Sequence, residues 1–238
     1  MSFIYHTFFF DPLYNTLVIL FKILPWADAG VIIIILTILV RLIIFPLSKK
    51  AVLTQVRMAA IAPDLAKIKE QYKNNTEEQA KRTLALYREK GVNPFSGIFV
   101  IIIQIPIILA LYQIFLYFPK VDMSLLYSFV AAPEYTSATF LGFLDLTTKS
   151  VTLALLAAVS TFFQFQISTK GQAPPKGNSF GDNLTRSMQT QMKYFFPVIV
   201  FFISYNISGV IALYWLTTNL FSIGQEIVVR RKFKADPA

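Results

Sequence analysis

The sequence predicts an all-α polytopic membrane protein: five transmembrane helices that enclose a hydrated polar cavity, with a helical hairpin on the cytoplasmic side. Three observations point there. Of the 238 residues 55% are hydrophobic and only 15% charged, and mean hydropathy is +0.56, a balance that soluble domains do not show. Apolar runs long enough to cross a bilayer recur along the chain. Polar amides and hydroxyls, together with one arginine, fall inside those runs, where only protein or water can satisfy them.

Composition also excludes several classes. There is no cysteine, which removes disulfides, thiolate metal sites and a lipidated N-terminal cysteine. The single His6 cannot build a metal cluster, so no metal and no cofactor is expected. The net charge of +9 could suit nucleic acid, but its distribution follows membrane topology, and no sequence-specific nucleic-acid binding is expected.

Residues 1–28 form an extracellular or interfacial segment. Asp11 followed by Pro12 suits a helix start, and Leu13, Leu17, Leu20 and Leu24 then repeat on one side. Pro12 to Leu24 is too short to span, which predicts an amphipathic helix lying in the interface. A signal peptide is the competing reading, since Ala27-Asp28-Ala29 mimics a cleavage site. Against it, there is no basic leading region and Asp11 splits the apolar stretch.

Residues 29–47, AGVIIIILTILVRLIIFPL, are the first transmembrane helix; rising about 1.5 Å per residue, such a run crosses the ~30 Å hydrocarbon layer. Residues 48–93 are a cytoplasmic helical hairpin with ten basic and five acidic residues, broken at Asn74-Asn75. Its first helix carries Leu53, Val56, Ala60, Leu65, Ile68 and Tyr72, with a kink expected at Pro63. Thr76 to Gln79 fits a capping box for a second helix carrying Ala80, Leu84 and Tyr87, ended by Gly91 and Pro94.

Residues 94–229 hold the other four spans and their loops. The second span covers about 97–117 and contains Gln104 and Pro106, and the third covers about 150–168 with Thr161, Gln164 and Gln166. Residues 171–182 are loop by composition. Residues 194–229 are 36 mostly apolar positions, too long for one crossing, and Asn206-Ile207-Ser208-Gly209 divides them into two short spans. Residues 230–238 form a basic cytoplasmic tail. The loops after the first and third spans and the tail hold eighteen basic residues; the opposite side holds three. This places the N-terminus outside and the C-terminus in the cytoplasm of a bacterial plasma membrane.

Arg41 is the residue that asks for an explanation. About six residues from the cytoplasmic end of its span, it could snorkel ~9 Å toward the headgroups and do nothing more. Yet Lys49 and Lys50 already mark that interface, and Arg41 lies at least a turn deeper. Gln104, Gln164, Asn219, Ser222 and Gln225 lie at membrane depth in other spans, and Tyr214 and Trp215 add amphipathic rings. Singly these could be helix-to-helix hydrogen bonds; together they are more polar surface than helix contacts need. No acidic residue is near mid-membrane, since Glu226 is at the cytoplasmic end. An arginine with amides and hydroxyls but no carboxylate fits a hydrated cavity. No nucleophile with its base, metal-ligand cluster or phosphate-cradling loop is visible, so no enzyme is predicted.

VRLIIFPLSKK at 40–50, IAPDLAKIKEQYKNN at 61–75, LYREKGVNPFSG at 86–97, QIPIILALY at 104–112, STFFQFQ at 160–166 and ALYWLTTNLFSIGQ at 212–225 carry a resemblance. In order, spacing and topology over about 29–229 the chain resembles the YidC membrane-protein insertase family. The resemblance implies a five-helix core around a hydrophilic groove open to cytoplasm and lipid and closed outside. It puts the family's groove arginine on Arg41, the polar residue of its third span on Gln164, and the aromatic of its fifth span on Trp215. It implies the short form, without the large periplasmic domain.

The expected function is therefore membrane protein insertion and chaperoning. The substrate groove would comprise Arg41, Gln104, Gln164, Trp215, Asn219 and Ser222, and hairpin contacts would fall on Arg57, Lys67, Lys69, Lys81 and Arg82. Expected partners are nascent membrane proteins, the lipid bilayer, the Sec translocon and the ribosome. A small-solute or ion transporter is one alternative, calling for a coupling carboxylate at mid-membrane and internal pseudo-symmetry. A passive membrane-assembly scaffold is the other, in which the polar residues would be spent at helix contacts.

Overall fold

The computed structural model describes residues 2–93, 96–117, 120–132, 138–170 and 186–235. The loop expected over 171–182 and the helix stop at Pro94 lie outside them.

The chain enters helical at Ser2–Tyr5 and passes through a π-helical turn, His6–Phe10, into α1, Asp11–Ile23. The expected start at Asp11 is thus not a helix end. Pro12 has no amide hydrogen and its ring crowds the carbonyl four residues back, and the widened turn just before it removes that clash. The Asp11 amide bonds the His6 carbonyl instead, while its carboxylate meets His6 Nδ1 at 3.1 Å. The same device recurs at Gln191–Phe195, a π turn two residues ahead of Pro197. The apolar face of α1 (Tyr14, Leu17, Val18, Leu20, Phe21), with Phe10 of the π turn, is buried within the main hydrophobic core. Asn15 pins α1 to the segment holding Leu125 and Tyr127. Its Nδ2 donates to the Leu125 and Asp11 carbonyls at 3.1 and 2.9 Å, and its Oδ1 accepts from the Tyr127 amide at 2.8 Å.

α2 runs unbroken from Ala29 to Gln71, 43 residues or about 65 Å, through Pro46 and Pro63. The boundary expected at residues 47 and 48 is therefore no helix end: the first apolar run and the first arm of the hairpin are one helix. Asp28 caps it, Oδ1 accepting from the Val31 amide at 2.9 Å. α3 spans Thr76–Glu89, and its cap is Asn75 rather than Thr76, since the Asn75 Oδ1 accepts from the Glu78 amide at 3.0 Å. The hairpin closes over its own small core of Ile61, Leu86 and Val92; Leu84 points out.

α4 (Ser96–Tyr117), α5 (Val151–Ser168), α6 (Phe196–Ile207) and α7 (Gly209–Ala235) follow, with residues 186–190 also helical and leading into the π turn at Gln191–Phe195. Ser208 alone is extended between α6 and α7, and α7 carries the basic tail onward as helix. α2 packs on α4 and α7, α7 on α5, and α5 on α6, so the helices form an open arc in the order α4, α2, α7, α5, α6. α7, at its middle, touches each of the others. Small buried residues, Ala110, Ala154, Ala157 and Ala212, let the backbones of α4, α5 and α7 approach their neighbours closely. Among the described residues, α2 and α5 are by themselves long and apolar enough to cross a membrane.

Between α4 and α5, among the described residues, the all-helical expectation meets an exception, a small antiparallel hairpin of β1 (Thr139–Phe140) and β2 (Leu144–Asp145). Phe140 packs against the first turn of α2: a Cβ at Gly30 would collide with its side chain. Gly30→Ala is accordingly expected to unseat the hairpin at an overpacking cost of ~1–3 kcal/mol. Faster protease cleavage within 138–148 is the sign to look for, and wild-type resistance would refute it.

Candidate functional site

The charge of Arg41 on α2 sits, half-buried, within electrostatic reach of the Tyr214 phenol on α7. Tyr214 is buried, and its oxygen accepts a 2.9 Å hydrogen bond from Gln104 Nε2 on α4. Three helices thus converge on one phenol. Among the described residues no ion pair and no hydrogen bond occupies the Arg41 guanidinium, so its donors remain unspent. Tyr214 also borders an apolar surface. Tyr214 and Trp215 line a recess of about 170 Å³ with Ile108 and Leu111 of α4 and Ile203 and Ile207 of α6. The recess lies between the two ends of the arc. Trp215 is half-buried there, its ring 6.3 Å from that of Phe196.

The remaining groove candidates lie elsewhere. Asn219 is turned into the α5–α7 contact, where its Nδ2 donates to Thr161 Oγ1 at 2.8 Å, Ser160 Oγ at 2.9 Å and the Ala157 carbonyl at 3.4 Å. Buried as it is, it acts as helix glue. Ser222 spends its hydroxyl on its own helix, donating to the Thr218 carbonyl at 2.8 Å. Gln164 belongs to a separate polar chain. Its Nε2 donates to Ser168 Oγ at 3.3 Å, and that hydroxyl donates to Glu226 Oε2 at 2.7 Å. Glu226 is 2% exposed. Arg230 meets its Oε1 through Nε at 3.0 Å and Nη2 at 2.8 Å, and caps the end of α5 by donating to the Ser168 and Lys170 carbonyls at 2.8 and 3.1 Å. One residue earlier, Gln225 Nε2 donates to Ser48 Oγ on α2 at 2.6 Å. Residues 225 and 226 therefore tie α7 to both of its main neighbours.

The family described as "60Kd inner membrane protein" matches residues 20–236. The chain belongs to the YidC family. Two similar proteins each carry the name "Membrane protein insertase YidC". The one from Clostridium tetani (strain Massachusetts / E88) is 28% identical over 207 residues, 87% of this chain and 84% of the relative. The one from Francisella tularensis subsp. novicida (strain U112) is 31% identical over 209 residues, again 87% of this chain but 33% of that longer relative. A YidC-family membrane protein is what the mostly helical, apolar architecture fits.

In this YidC-family chain, sequence reasoning undervalued Tyr214 and set Glu226 aside. The signal for Glu226 was present, because an acid four residues before an arginine at the end of an apolar helix is a ready ion pair. The hairpin's cations are largely engaged locally. Lys81 meets Glu77 at 2.7 Å, Lys67 meets Asp64 at 3.5 Å, and Arg82 meets Glu78 at 2.9 Å while lying over the Tyr72 ring. The Glu78 hydrogen bond holds the Arg82 guanidinium above its ordinary pKa. Lys69 offers its carbonyl to Gln79 Nε2 at 3.2 Å, and Arg57 is half-buried on α2 with a partner of its own.

Proposed function

We propose that this chain is a membrane protein insertase and chaperone, which accepts segments of nascent membrane proteins from the cytoplasm and releases them sideways into lipid. One observation carries the reading: Tyr214, which feels the unspent cation of Arg41, is also a wall of the apolar recess between α4 and α6. A segment in transit has both characters. Its polar flank loses water at a cost unless hydrogen-bonding partners replace it. Arg41 and the water around it supply those partners, while the apolar stretch rests against Ile108, Ile203 and Ile207 and then leaves for lipid. Burying apolar area makes that last step downhill without ATP.

On this reading α2, α4, α5, α6 and α7 are five crossings, with the N-terminus outside and the C-terminus cytoplasmic, as loop charge requires. The basic hairpin formed by the far half of α2 and α3 meets the nascent chain, the ribosome and the Sec translocon. Its exposed ion pairs are individually weak, so an acidic partner can exchange into them. A transporter would need a free coupling carboxylate, whereas Glu226 is committed to Arg230.

Photocrosslinkers placed at 215 and at 219 during synthesis of a stalled client test this. Adducts are expected at 215, which lines the recess, and not at 219, which is closed in the α5–α7 contact. Insertion proceeding with no adduct at 215 would overturn the reading.

A further inference from the structure

The β1–β2 hairpin ends in a tip whose chemistry is wrong for water. Leu141 and Gly142 take consecutive positive φ values, +56° and +78°, and the Phe143 amide closes the turn onto the Phe140 carbonyl at 3.4 Å. Such turns favour Asn-Gly, and a branched leucine in the left-handed region is disfavoured. The strained turn leaves Leu141 63% and Phe143 77% exposed.

The base of the hairpin, by contrast, is locked. Asp28 uses one carboxylate oxygen to cap α2 and the other to accept from the Leu141 amide at 2.6 Å. Phe140 sits on Gly30. Leu146 is wholly buried and its carbonyl accepts from the Val210 amide at 3.1 Å, while the Thr148 carbonyl accepts from the Gly209 amide at 2.8 Å. The hairpin thus bridges the first turns of α2 and α7, and its tip is held at the level of Asp28, where the apolar run of α2 begins. Trp26, two residues earlier, is 76% exposed. No charge lies between Phe140 and Leu144. Uncharged aromatic and aliphatic side chains held at the end of a span match the boundary between headgroups and acyl chains.

We propose that Leu141 and Phe143 dip into the outer leaflet, so that the hairpin closing the outer ends of α2 and α7 is anchored in phospholipid as well as in protein. This rests on α2 crossing the bilayer with its N-terminus outside, and it does not depend on insertase activity. The cysteine-free chain allows a direct test. Single cysteines at 143, at 155 on the exposed face of α5 and at the exposed Lys120 are nitroxide-labelled in the full chain. The chain is then reconstituted in phosphatidylcholine–phosphatidylglycerol vesicles. Collision rates with oxygen, which partitions into lipid, are compared with those of a water-soluble nickel chelate. The oxygen-to-nickel ratio at 143 should exceed that at 120 several-fold and approach that at 155. A ratio at 143 equal to that at 120 would place the tip in water and overturn the proposal. Protection from both reagents would overturn it too, by showing the tip covered by protein. A ratio at 155 no higher than at 120 would instead refute the membrane crossing itself.

Discussion

Arg41→Ala is expected to lower insertion of a client with an acidic translocated segment by about an order of magnitude or more, the worth of one charge-assisted hydrogen bond of ~1.5–3 kcal/mol. A matched client with a neutral segment should lose far less. The expectation follows from the free donors of Arg41: nothing described in the protein competes for them, so an incoming carboxylate finds them available. Arg41→Lys should keep much of the activity, because a lysine presents charge on a long stem even though it lacks the planar fork. Stability should barely change with Arg41→Ala, since Tyr214 keeps its hydrogen bond from Gln104 and no partner is stranded. Insertion of the two clients into proteoliposomes, with thermal unfolding in detergent alongside, measures both. Equal losses for the two clients would return Arg41 to a structural role.

Arg230→Ala should be the most destabilising of the substitutions considered, by roughly 3–5 kcal/mol, because it leaves the buried Glu226 carboxylate without its cation. It also strips the Ser168 and Lys170 carbonyls of a donor. Glu226→Ala should cost less. Its orphan, Arg230, is 17% exposed at the side chain against 3% for Glu226, so it can turn to water and keep the carbonyls. The double variant should fall between the two single ones, since it removes the buried charge that makes Arg230→Ala severe. Denaturant or thermal unfolding of the three variants ranks them. Glu226→Ala proving worse than Arg230→Ala would mean that the pair serves the arginine and not the acid.

The difference between Arg41 and Asn219 shows how far the sequence alone reaches. Both are polar residues in apolar runs, and the sequence places both in one expected groove. Hydropathy, charge asymmetry between loops and Asp or Asn before a helical run determined a helical membrane protein, its apolar segments and the polar residues among them, because each depends on neighbours a few positions away. Where a polar side chain points depends on which helix lies opposite. Asn219 meets Ser160 and Thr161, some sixty positions earlier in the chain, and so is consumed. Among the described residues Arg41 meets only the charge of the Tyr214 phenol, and so keeps its donors. The continuity of α2 through residue 47 was likewise out of reach, since a change from apolar to polar residues marks a solvent boundary and not a helix end. The arc that leaves α4 and α6 apart, with a recess between them, exists only in three dimensions. It is set by which small side chains let which backbones close on α7, and no local pattern in the sequence encodes that choice.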